Sequence, residues 1–303
     1  MRVIRVHAYG EPLRIDEIPP PSPPKAGQLG LEVAAVGVGS WDVGVADGRL
    51  AHFVNLQPPF VLGAELAGRV TAVGQAVEGF AVGDQVIANP GIVGAWAELQ
   101  NIDATMCGPA PASISAAHAA AIPVGALTAL QALDMLALPA GASLLVLGAG
   151  GSVGRAAIQL ARIRGLIVDA LVPSWEVTGS RELGAHAALD QASDWAAQLS
   201  EPIDGVLDLI GGALLERSAA TLRAGGRVVT TLAGSMREPV AADVSMGYLR
   251  MRSTTADLAS ISAHVDAGEL MLPVGTVRPV DGVDDALLDM KSRLGGGKQV
   301  LEF

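Results

Sequence analysis

A cluster of glycines near the middle of the chain has the spacing of a phosphate-binding turn. Residues 143–165 read SLLVLGAGGSVGRAAIQLARIRG, which predicts a short apolar strand, a tight turn and a helix with polar positions at helical spacing. Glycines let the backbone approach a pyrophosphate closely, and the free N–H groups at the start of the helix attract its oxygens. The residues that we expect to contact the phosphates are Gly148, Gly150, Gly151, Ser152, Val153 and Gly154.

The spacing of this turn fits G-x-x-G-x-x-G better than the stricter G-x-G-x-x-G. A glycine-rich chain also produces such runs in ordinary strand-to-helix turns, which is the alternative interpretation. The strand before the turn, the helix after it and Gly165 as a stop signal favour a dinucleotide site.

The loop after the next predicted strand bears on which dinucleotide would bind. An acidic residue there binds the ribose hydroxyls of NAD, whereas hydroxyl or basic residues suit the phosphate of NADP. The strand is predicted to end near Val172, Asp169 comes too early, and Pro173 stands where an acid is expected. The absence of an acid predicts NADPH, with Ser174 as a phosphate contact, and NADH stays the alternative.

A second group of cofactor contacts is predicted further along the same sheet. Residues 226–232 read as a strand, and ligands of open α/β sheets bind beyond the carboxyl ends of the strands. Backbone groups at the end of this strand are therefore expected to contact the nicotinamide, and they belong to Leu232, Ala233 and Gly234.

The composition is that of a protein with two ordinary domains. The chain has 303 residues, of which 50% are hydrophobic and 17% are charged, with a net charge of −11. This acidic balance argues against nucleic acid as a partner. No apolar run is long enough for a membrane span, and the N-terminal residues read as a strand without a signal peptide, so we expect a cytoplasmic protein. The single Cys107 excludes an internal disulfide.

The elements that position these residues change in kind along the chain. Residues 1–110 are punctuated by glycine and proline and predict a β-rich region. An alanine-rich helical region follows over 113–138, broken by Pro123. From residue 143 strands and helices alternate, which predicts a parallel sheet with right-handed crossovers. The terminal KQVLEF reads as a strand that rejoins the first domain.

Residues 62–86 carry a long motif, LGAELAGRVTAVGQAVEGFAVGDQV, that resembles the medium-chain dehydrogenase/reductase superfamily. The matched positions are Gly63, Glu65, Gly68, Val70, Val73, Gly74, Val77, Phe80, Gly83, Asp84 and Val86. Further segments, from GAWAEL at 94–99 to GKQVLEF at 297–303, follow in the family's order. The resemblance implies an α/β fold in which a Rossmann doubly wound parallel-sheet domain, 119–267, is inserted into a β-rich GroES-like domain, 1–118 plus 268–303.

The zinc ligands of the alcohol dehydrogenases in this family are missing. The family's histidine position falls on Ala64, and no cysteine stands near the first expected ligand position, at 40–42. A tetrahedral zinc site needs such nitrogen and sulfur ligands. The chain is therefore similar to the zinc-independent, quinone-oxidoreductase-like branch, and we expect no metal.

The resemblance implies hydride transfer to a quinone or an α,β-unsaturated carbonyl, a small-molecule substrate. Members of the branch often carry a tyrosine near the substrate, but neither Tyr9 nor Tyr248 matches its position. We expect cleft-lining, catalytic roles for Ser40, Trp41, Asp42 and Trp96, with backbone or water as the proton source. For Asp42 the alternative is a helix cap, and for the two tryptophans it is core packing.

Thr128 matches the segment that the family places beside the nicotinamide. The alternative is a helix-interior threonine that bonds back to its own backbone. Glu65 is expected to be a buried acid with structural partners and is an outside candidate for chemistry.

Other functions remain open on the sequence alone. An alcohol dehydrogenase is disfavoured by the missing zinc ligands, and a short-chain dehydrogenase by the lack of a Tyr-x-x-x-Lys pair after Tyr248. A dinucleotide-binding scaffold or regulatory protein without turnover is the alternative from another class. Related proteins are often dimers, and residues 226–252 are the segment that we expect to supply a homodimer edge.

Overall fold

The computed structural model describes residues 1–199, 201–232, 234, 243–292 and 296–303. The chain divides into two compact units. Unit 1 comprises Met1–Val124 and Arg252–Phe303, and unit 2 comprises Gly125–Met251. The predicted boundaries placed 119–124 and 252–267 in the dinucleotide-binding domain, whereas the structure places both segments in unit 1.

Strands outnumber helices up to residue 109, and the two kinds of element are more evenly mixed after it. The strands are β1 (Arg2–Val6), β2 (Arg14–Glu17), β3 (Gln28–Val38), β4 (Phe60–Val61), β5 (Leu66–Val73), β6 (Gln85–Ala88), β7 (Leu99–Asp103), β8 (Cys107–Pro109), β9 (Ser143–Leu147), β10 (Ile167–Val172), β11 (Ala187–Asp190), β12 (Ile203–Asp208), β13 (Leu222–Thr230), β14 (Ser245–Tyr248), β15 (Val274–Pro279) and β16 (Lys298–Glu302). The helices are α1 (Ser40–Ala46), α2 (Ala51–Val54), α3 (Ala116–Ala120), α4 (Pro123–Leu136), α5 (Ser152–Ile163), α6 (Val177–Glu182), α7 (Gly212–Ser218), α8 (Thr255–Asp266) and α9 (Val283–Ser292). Within the described ranges, no helix has both the length and the apolar character needed to cross a bilayer.

The main sheet of unit 1 has seven strands and is built around β3. The order is β15-β16-β3-β5-β6-β8, and β7 also pairs with β3. In β3, Leu29, Leu31 and Val33 are buried while Glu32 is exposed, the alternation of a strand with one face on a core. The terminal strand β16 is antiparallel to β3, with Gln299 opposite Val38. The prediction that the terminal segment rejoins the first domain is thereby confirmed.

Helix α8 belongs to unit 1 because its polar side chains bind the segment after β8. The Ser262 hydroxyl donates to the Pro109 carbonyl oxygen at 2.7 Å. The Asp266 carboxylate accepts the N–H groups of Ala112 at 3.2 Å and Ser113 at 2.9 Å. Periodicity identifies this helix in the sequence but does not report these long-range bonds, so the predicted boundary fell after the helix.

Unit 2 is a six-stranded parallel sheet with the order β11-β10-β9-β12-β13-β14. The strand order reverses beside the central β9, because β10 lies on one side of it and β12 on the other. Leu145, Leu147 and Val206 are fully buried, as expected for strands covered on both faces. This is the doubly wound dinucleotide-binding arrangement, and the predicted fold class is confirmed.

Candidate functional site

Two of the four glycines in the turn after β9 are required by packing. Gly148 has φ +85, and a Cβ there would lie 2.8 Å from Cγ1 of Ile210. A Cβ on Gly154 would overlap the backbone of Ala149. These two glycines therefore allow α5 and the loop after β12 to approach the turn closely.

Gly151 differs from its neighbours because it faces open space. The heavy atom nearest to a Cβ at this position is the Gly148 carbonyl oxygen, at 3.8 Å. Gly151 is the N-cap of α5, and its carbonyl oxygen accepts the Arg155 N–H at 2.8 Å. The N–H groups of Ser152 and Val153 therefore have no intrahelical acceptor. An open glycine next to free N–H groups at the start of a twelve-residue helix fits a pyrophosphate.

The start of α4 lies against the start of α5 within unit 2. A Cβ on Gly125 would be 3.1 Å from the Ser152 Cβ, so glycine allows this approach. Thr128 follows one turn later on α4 and is 8% exposed. The contact of Thr128 with nicotinamide stays a prediction.

Asp208, at the end of β12, ties two loops together. The side chain is fully buried, and Oδ1 accepts the N–H groups of Ile210 at 3.1 Å and Gly211 at 2.7 Å. Oδ2 accepts the Thr230 hydroxyl at 2.7 Å. The Thr230 oxygen in turn accepts the Leu232 N–H at 3.1 Å. One carboxylate thus fixes the loops after β12 and β13 at the carboxyl edge of the sheet.

The predicted contacts after β13 fall partly within this network. Leu232 is half-buried and joined to Thr230. Gly234 is exposed, and no atom of the described residues lies within 4 Å of a Cβ placed there. Ala233 lies outside the described residues. The nicotinamide contacts predicted for these residues stay predictions.

The turn after β10 contains an acid that the sequence analysis did not assign. Residues Ser174–Glu176 form a single 3-10 turn, and the Glu176 carboxylate lies 2.5 Å from Nη2 of Arg155. Arg155 also donates from Nε to the Gly150 carbonyl oxygen at 2.8 Å. Ser174 is exposed in the same turn. The absence of an acid, on which the preference for NADPH depended, therefore does not hold.

In unit 1, the Asp42 carboxyl is buried near the start of α1. It is 2% exposed, and Oδ2 accepts the Gly39 N–H at 2.8 Å, so it caps its own helix. Burial raises the pKa of Asp42 to about 7, with a further upward contribution from Glu65, while the Gly39 hydrogen bond and Lys298 act in the opposite direction. Oδ1 is buried and accepts no hydrogen bond from the described residues. The cap interpretation is supported by this geometry, and a catalytic role stays a prediction.

Glu65 and Lys298 form a buried ion pair next to Asp42. Glu65 is 1% exposed and Lys298 is 5% exposed, and their charged groups are in direct contact. The second oxygen of Glu65 accepts the Val124 N–H at 2.8 Å. Glu65 is thus a buried acid with structural partners, as predicted from the sequence, and Lys298 is its cationic partner.

The two tryptophans predicted to line a cleft have different surroundings. Trp96 has no exposed surface, and Nε1 donates to the Gly37 carbonyl oxygen at 3.1 Å. A Cβ on Gly63, which has φ +95, would overlap the Trp96 ring. These contacts favour core packing for Trp96 over a role at a substrate surface.

Trp41 is half-buried at the rim of unit 1. Its Nε1 donates to the Ile92 carbonyl oxygen at 2.7 Å, and its ring packs against Phe53 with the centroids 6.4 Å apart. Phe53 is 44% exposed, and its ring packs against the His52 ring with the centroids 4.1 Å apart. Ser40 is exposed at the first position of α1. Trp41 and Ser40 therefore keep the accessibility that a substrate contact requires.

The chemistry around Ala64 does not suit a zinc ion. Ala64 is buried, and its carbonyl oxygen accepts a hydrogen bond from the Asn89 amide at 2.5 Å. Burial raises the pKa of the only cysteine, Cys107, to about 12, so this thiol is a poor source of thiolate. Within the described ranges, no group of three or more candidate ligands is present. Independence from zinc stays a prediction.

Four residues at the candidate sites were not assigned from the sequence, and two of them had a partial signal in it. Glu176 ends the short turn that starts after Pro173, so it lies three residues beyond the position where an acid was expected. Asp208 ends an apolar strand and precedes two glycines, a pattern that indicates a tight loop. Arg155 and Lys298 gave no signal beyond their charge, because their partners are distant in sequence.

Two protein-family models match the chain. The alcohol dehydrogenase GroES-like domain matches residues 25–132, and the zinc-binding dehydrogenase model matches residues 183–301. The first lies over unit 1 and the start of unit 2, and the second continues from unit 2 into the end of unit 1.

Some of the curated relatives are much larger proteins, and this chain matches only a part of each of them. The chain is 36% identical over 214 residues to the spectinabilin polyketide synthase system protein NorB of Streptomyces orinoci, of which it spans 10%. It is 29% identical over 300 residues to the quinone oxidoreductase of Homo sapiens, covering 93% of the chain and 89% of that protein.

Solved structures agree over the full length. An alcohol dehydrogenase superfamily protein from Novosphingobium aromaticivorans has a TM-score of 0.90 at 26% identity, covering 100% of this chain and 99% of that one. The CurK enoyl reductase has a TM-score of 0.86 at 26% identity, covering 99% and 98%. The fold of the two units and the glycine turn after β9 together define a dinucleotide-binding protein of the two-domain dehydrogenase class. The chain belongs to the medium-chain dehydrogenase/reductase superfamily of oxidoreductases.

Proposed function

We propose that this protein reduces a quinone or an α,β-unsaturated carbonyl with a reduced nicotinamide dinucleotide and without zinc. The observation that carries the proposal is the glycine turn of unit 2, which is closely packed at Gly148 and Gly154 but open at Gly151. A quinone oxidoreductase and an enoyl reductase among the similar proteins support this reaction class.

The residues of unit 2 bind the dinucleotide and orient it. The N–H groups of Ser152 and Val153 would hold the pyrophosphate, and the Asp208 network would hold the loops after β12 and β13 in place. When bound, the reduced dinucleotide supplies a hydride, which together with one proton completes the two-electron reduction of the acceptor. Orientation is the main contribution of the protein to such a transfer.

Unit 1 offers a surface suited to a flat, apolar acceptor. The rings of Trp41 and Phe53 are partly exposed and fixed by packing, and the Trp41 indole is held by Ile92. The exposed Ser40 hydroxyl is a donor for the oxygen that gains charge during reduction. We assign substrate contact to Ser40 and Trp41, helix capping to Asp42, and core packing to Trp96.

Several finer assignments belong to the same proposal. The sequence predicts NADPH, but Glu176 removes the premise of that preference and leaves the choice of dinucleotide to the residues around it. A cytoplasmic location and a homodimer formed through residues 226–252 stay predictions. In that segment, β14 lies at the edge of the sheet of unit 2.

The test is steady-state loss of nicotinamide absorbance with panels of quinones, enones and, in the reverse direction, alcohols. We expect quinones or enones to oxidise the dinucleotide at a rate that is unchanged after dialysis against a chelator. Binding of the dinucleotide without oxidation by any acceptor would favour the scaffold function. Turnover of alcohols that is lost with the chelator would favour a zinc alcohol dehydrogenase.

A further inference from the structure

Three ionisable side chains are buried together in unit 1. Asp42, Glu65 and Lys298 are 2%, 1% and 5% exposed, and they come from α1, from the residue before β5 and from the start of β16. The Lys298 ammonium contacts the Glu65 carboxylate directly. A Cβ on Gly39 would lie 3.7 Å from Lys298 Nζ and 3.6 Å from Asp42 Oδ2, so the ammonium also lies near the Asp42 carboxyl. Two carboxyl groups therefore share one cation.

The two carboxyl groups differ in how their oxygens are bound. One Glu65 oxygen contacts Lys298, and the other accepts the Val124 N–H at 2.8 Å. Asp42 Oδ2 accepts the Gly39 N–H at 2.8 Å, whereas Oδ1 is buried and accepts no hydrogen bond from the described residues. Oδ1 is therefore the oxygen that is free to carry a proton.

The charges of this cluster balance only when one proton is bound. With both carboxyl groups ionised, one ammonium faces two negative charges, and a buried charge without a counterion is strongly unfavourable. Burial raises the pKa of Asp42 to about 7 and Glu65 acts in the same direction, whereas the Gly39 hydrogen bond and Lys298 oppose it. Asp42 therefore gains or loses its proton close to neutral pH.

Other charged groups near α1 have partners of their own. Helix α9 packs against α1, and its Lys291 binds Asp47 at the far end of α1, at 2.8 Å. The acids of α9 bind elsewhere or are exposed: Asp284 accepts the Leu13 N–H, Asp289 binds Arg278, and Asp285 is exposed.

Asp42 fixes the start of the helix that carries the residues assigned to the acceptor. Ser40 and Trp41 precede it directly, and the Gly39 N–H that it binds belongs to the N-cap of α1. A helix of seven residues is too short to be stable on its own, so its start depends on such contacts.

We propose that Asp42 is a positioning residue whose proton keeps the start of α1 closed, with Ser40 and Trp41 placed for the acceptor, and that loss of the proton releases this segment. The assignment of Ser40 and Trp41 to the acceptor rests on the proposed function. The release itself is a property of the free protein and is measured without any acceptor.

The direction of the effect follows from the two environments of the carboxyl group. In the closed arrangement the pKa of Asp42 is about 7, whereas a released Asp42 in water has the ordinary pKa of 3.8. The closed arrangement therefore has its full stability below about pH 4 and loses it as the pH rises to about 7. The equilibrium constant for release should increase about tenfold between pH 5 and pH 6, about tenfold again between pH 6 and pH 8, and then level off.

The experiment is hydrogen exchange of the free protein, read by mass spectrometry at pH 6 and pH 8. After correction for the intrinsic exchange rate, the opening constant of residues 40–47 should increase about tenfold. At both pH values it should exceed that of β5, because the release is local. Asp42→Asn keeps an acceptor for the Gly39 N–H but cannot titrate, so its opening constant should not change. Asp47→Asn removes an acid at the other end of the same helix and is the matched control, which should keep the pH dependence of the wild type.

Steady-state kinetics supply the second readout. With saturating dinucleotide, the KM for a quinone should increase severalfold between pH 6 and pH 8 in the wild type, and by at most about tenfold. In Asp42→Asn the KM should stay constant over the same range. The dissociation constant of the dinucleotide, which is assigned to unit 2, should follow the same pH dependence in both proteins.

Each outcome decides one step. An opening constant that does not change with pH in the wild type, or that changes equally in Asp42→Asn, overturns control by Asp42. Equal opening constants for α1 and β5 overturn the local release, because α1 then opens only with the whole unit. A constant KM beside a changing opening constant overturns the positioning of the acceptor contacts and leaves the reductase proposal standing. If no acceptor oxidises the dinucleotide, the proposed function fails, while hydrogen exchange still decides whether the proton of Asp42 controls α1. The comparison of the two pH values in the wild type needs no variant to fold.

Discussion

Replacing Gly151 should separate cofactor binding from stability. The residue has φ −80 and ψ 171, an extended conformation that any residue adopts, and the nearest atom to a new Cβ is 3.8 Å away. Gly151→Ala should therefore raise the free energy of unfolding by about 0.4–1 kcal/mol, because alanine lowers the entropy of the unfolded chain. Gly151→Val should fold as well as the wild type, with its branched side chain in the space assigned to the pyrophosphate.

The expected loss of affinity follows from the hydrogen bonds at the start of α5. A hydrogen bond to a charged group contributes about 1.5–3 kcal/mol. Loss of one such bond from the N–H groups of Ser152 or Val153 should weaken dinucleotide binding about 10- to 100-fold in Gly151→Val. Titration calorimetry with each dinucleotide measures the loss, and thermal unfolding measures stability.

Gly154→Val is the matched control on the same turn. Its Cβ would overlap the Ala149 backbone, so this variant should lose stability by about 1–3 kcal/mol or more, as in an overpacked core. Unchanged affinity in Gly151→Val would refute the assigned register of the turn. A fall in stability as large as that of Gly154→Val would show that Gly151 does not face open space.

Two further predictions concern the buried charges of unit 1. Because the pKa of Asp42 is raised to about 7 from an ordinary 3.8, the folded state keeps a proton that the unfolded state releases, and stability is lost as the pH rises from about 4 to about 7. Asp42→Asn keeps an acceptor for the Gly39 N–H but carries no charge. At pH 8 its free energy of unfolding should exceed that of the wild type by up to about 4 kcal/mol. A difference in stability that does not change with pH would contradict titration of Asp42. Lys298→Met should lower the free energy of unfolding, measured with denaturant, by about 3–5 kcal/mol, because Glu65 stays buried without its cation. The double variant Lys298→Met/Glu65→Gln should recover most of that loss. Equal losses in both variants would argue against the ion pair.

The alternation of strands and helices in unit 2 could be predicted because it depends on local patterns. Apolar runs such as Leu144–Leu147 and the glycine turn after them are properties of neighbouring residues, and the structure has β9 and α5 there. The strand β11, with the sequence AALD, was missed because alanine has little preference for strands and the pairing with β10 supplies the stability.

The candidate site was less predictable because its side chains meet over long distances in sequence. Ser152 and Val153 follow from the turn itself, whereas the contact of Arg155 with Glu176 depends on where β10 ends and how the next turn is built. Burial of Trp96 depends on Gly37 and Gly63, which approach it from other parts of unit 1. Type and spacing of residues thus predicted the backbone of the site better than its side chains.

The pairing of β16 with β3 has a consequence for the order of events during synthesis on the ribosome. Unit 2 is continuous in sequence, so all of its strands have been made while β3 still lacks the neighbour that covers residues 35–38. Until Lys298 arrives, the Glu65 carboxylate has no cation and must stay hydrated. Nascent chains therefore present an open strand edge with an uncompensated acid beside it, a place for a chaperone to bind and for aggregation to begin.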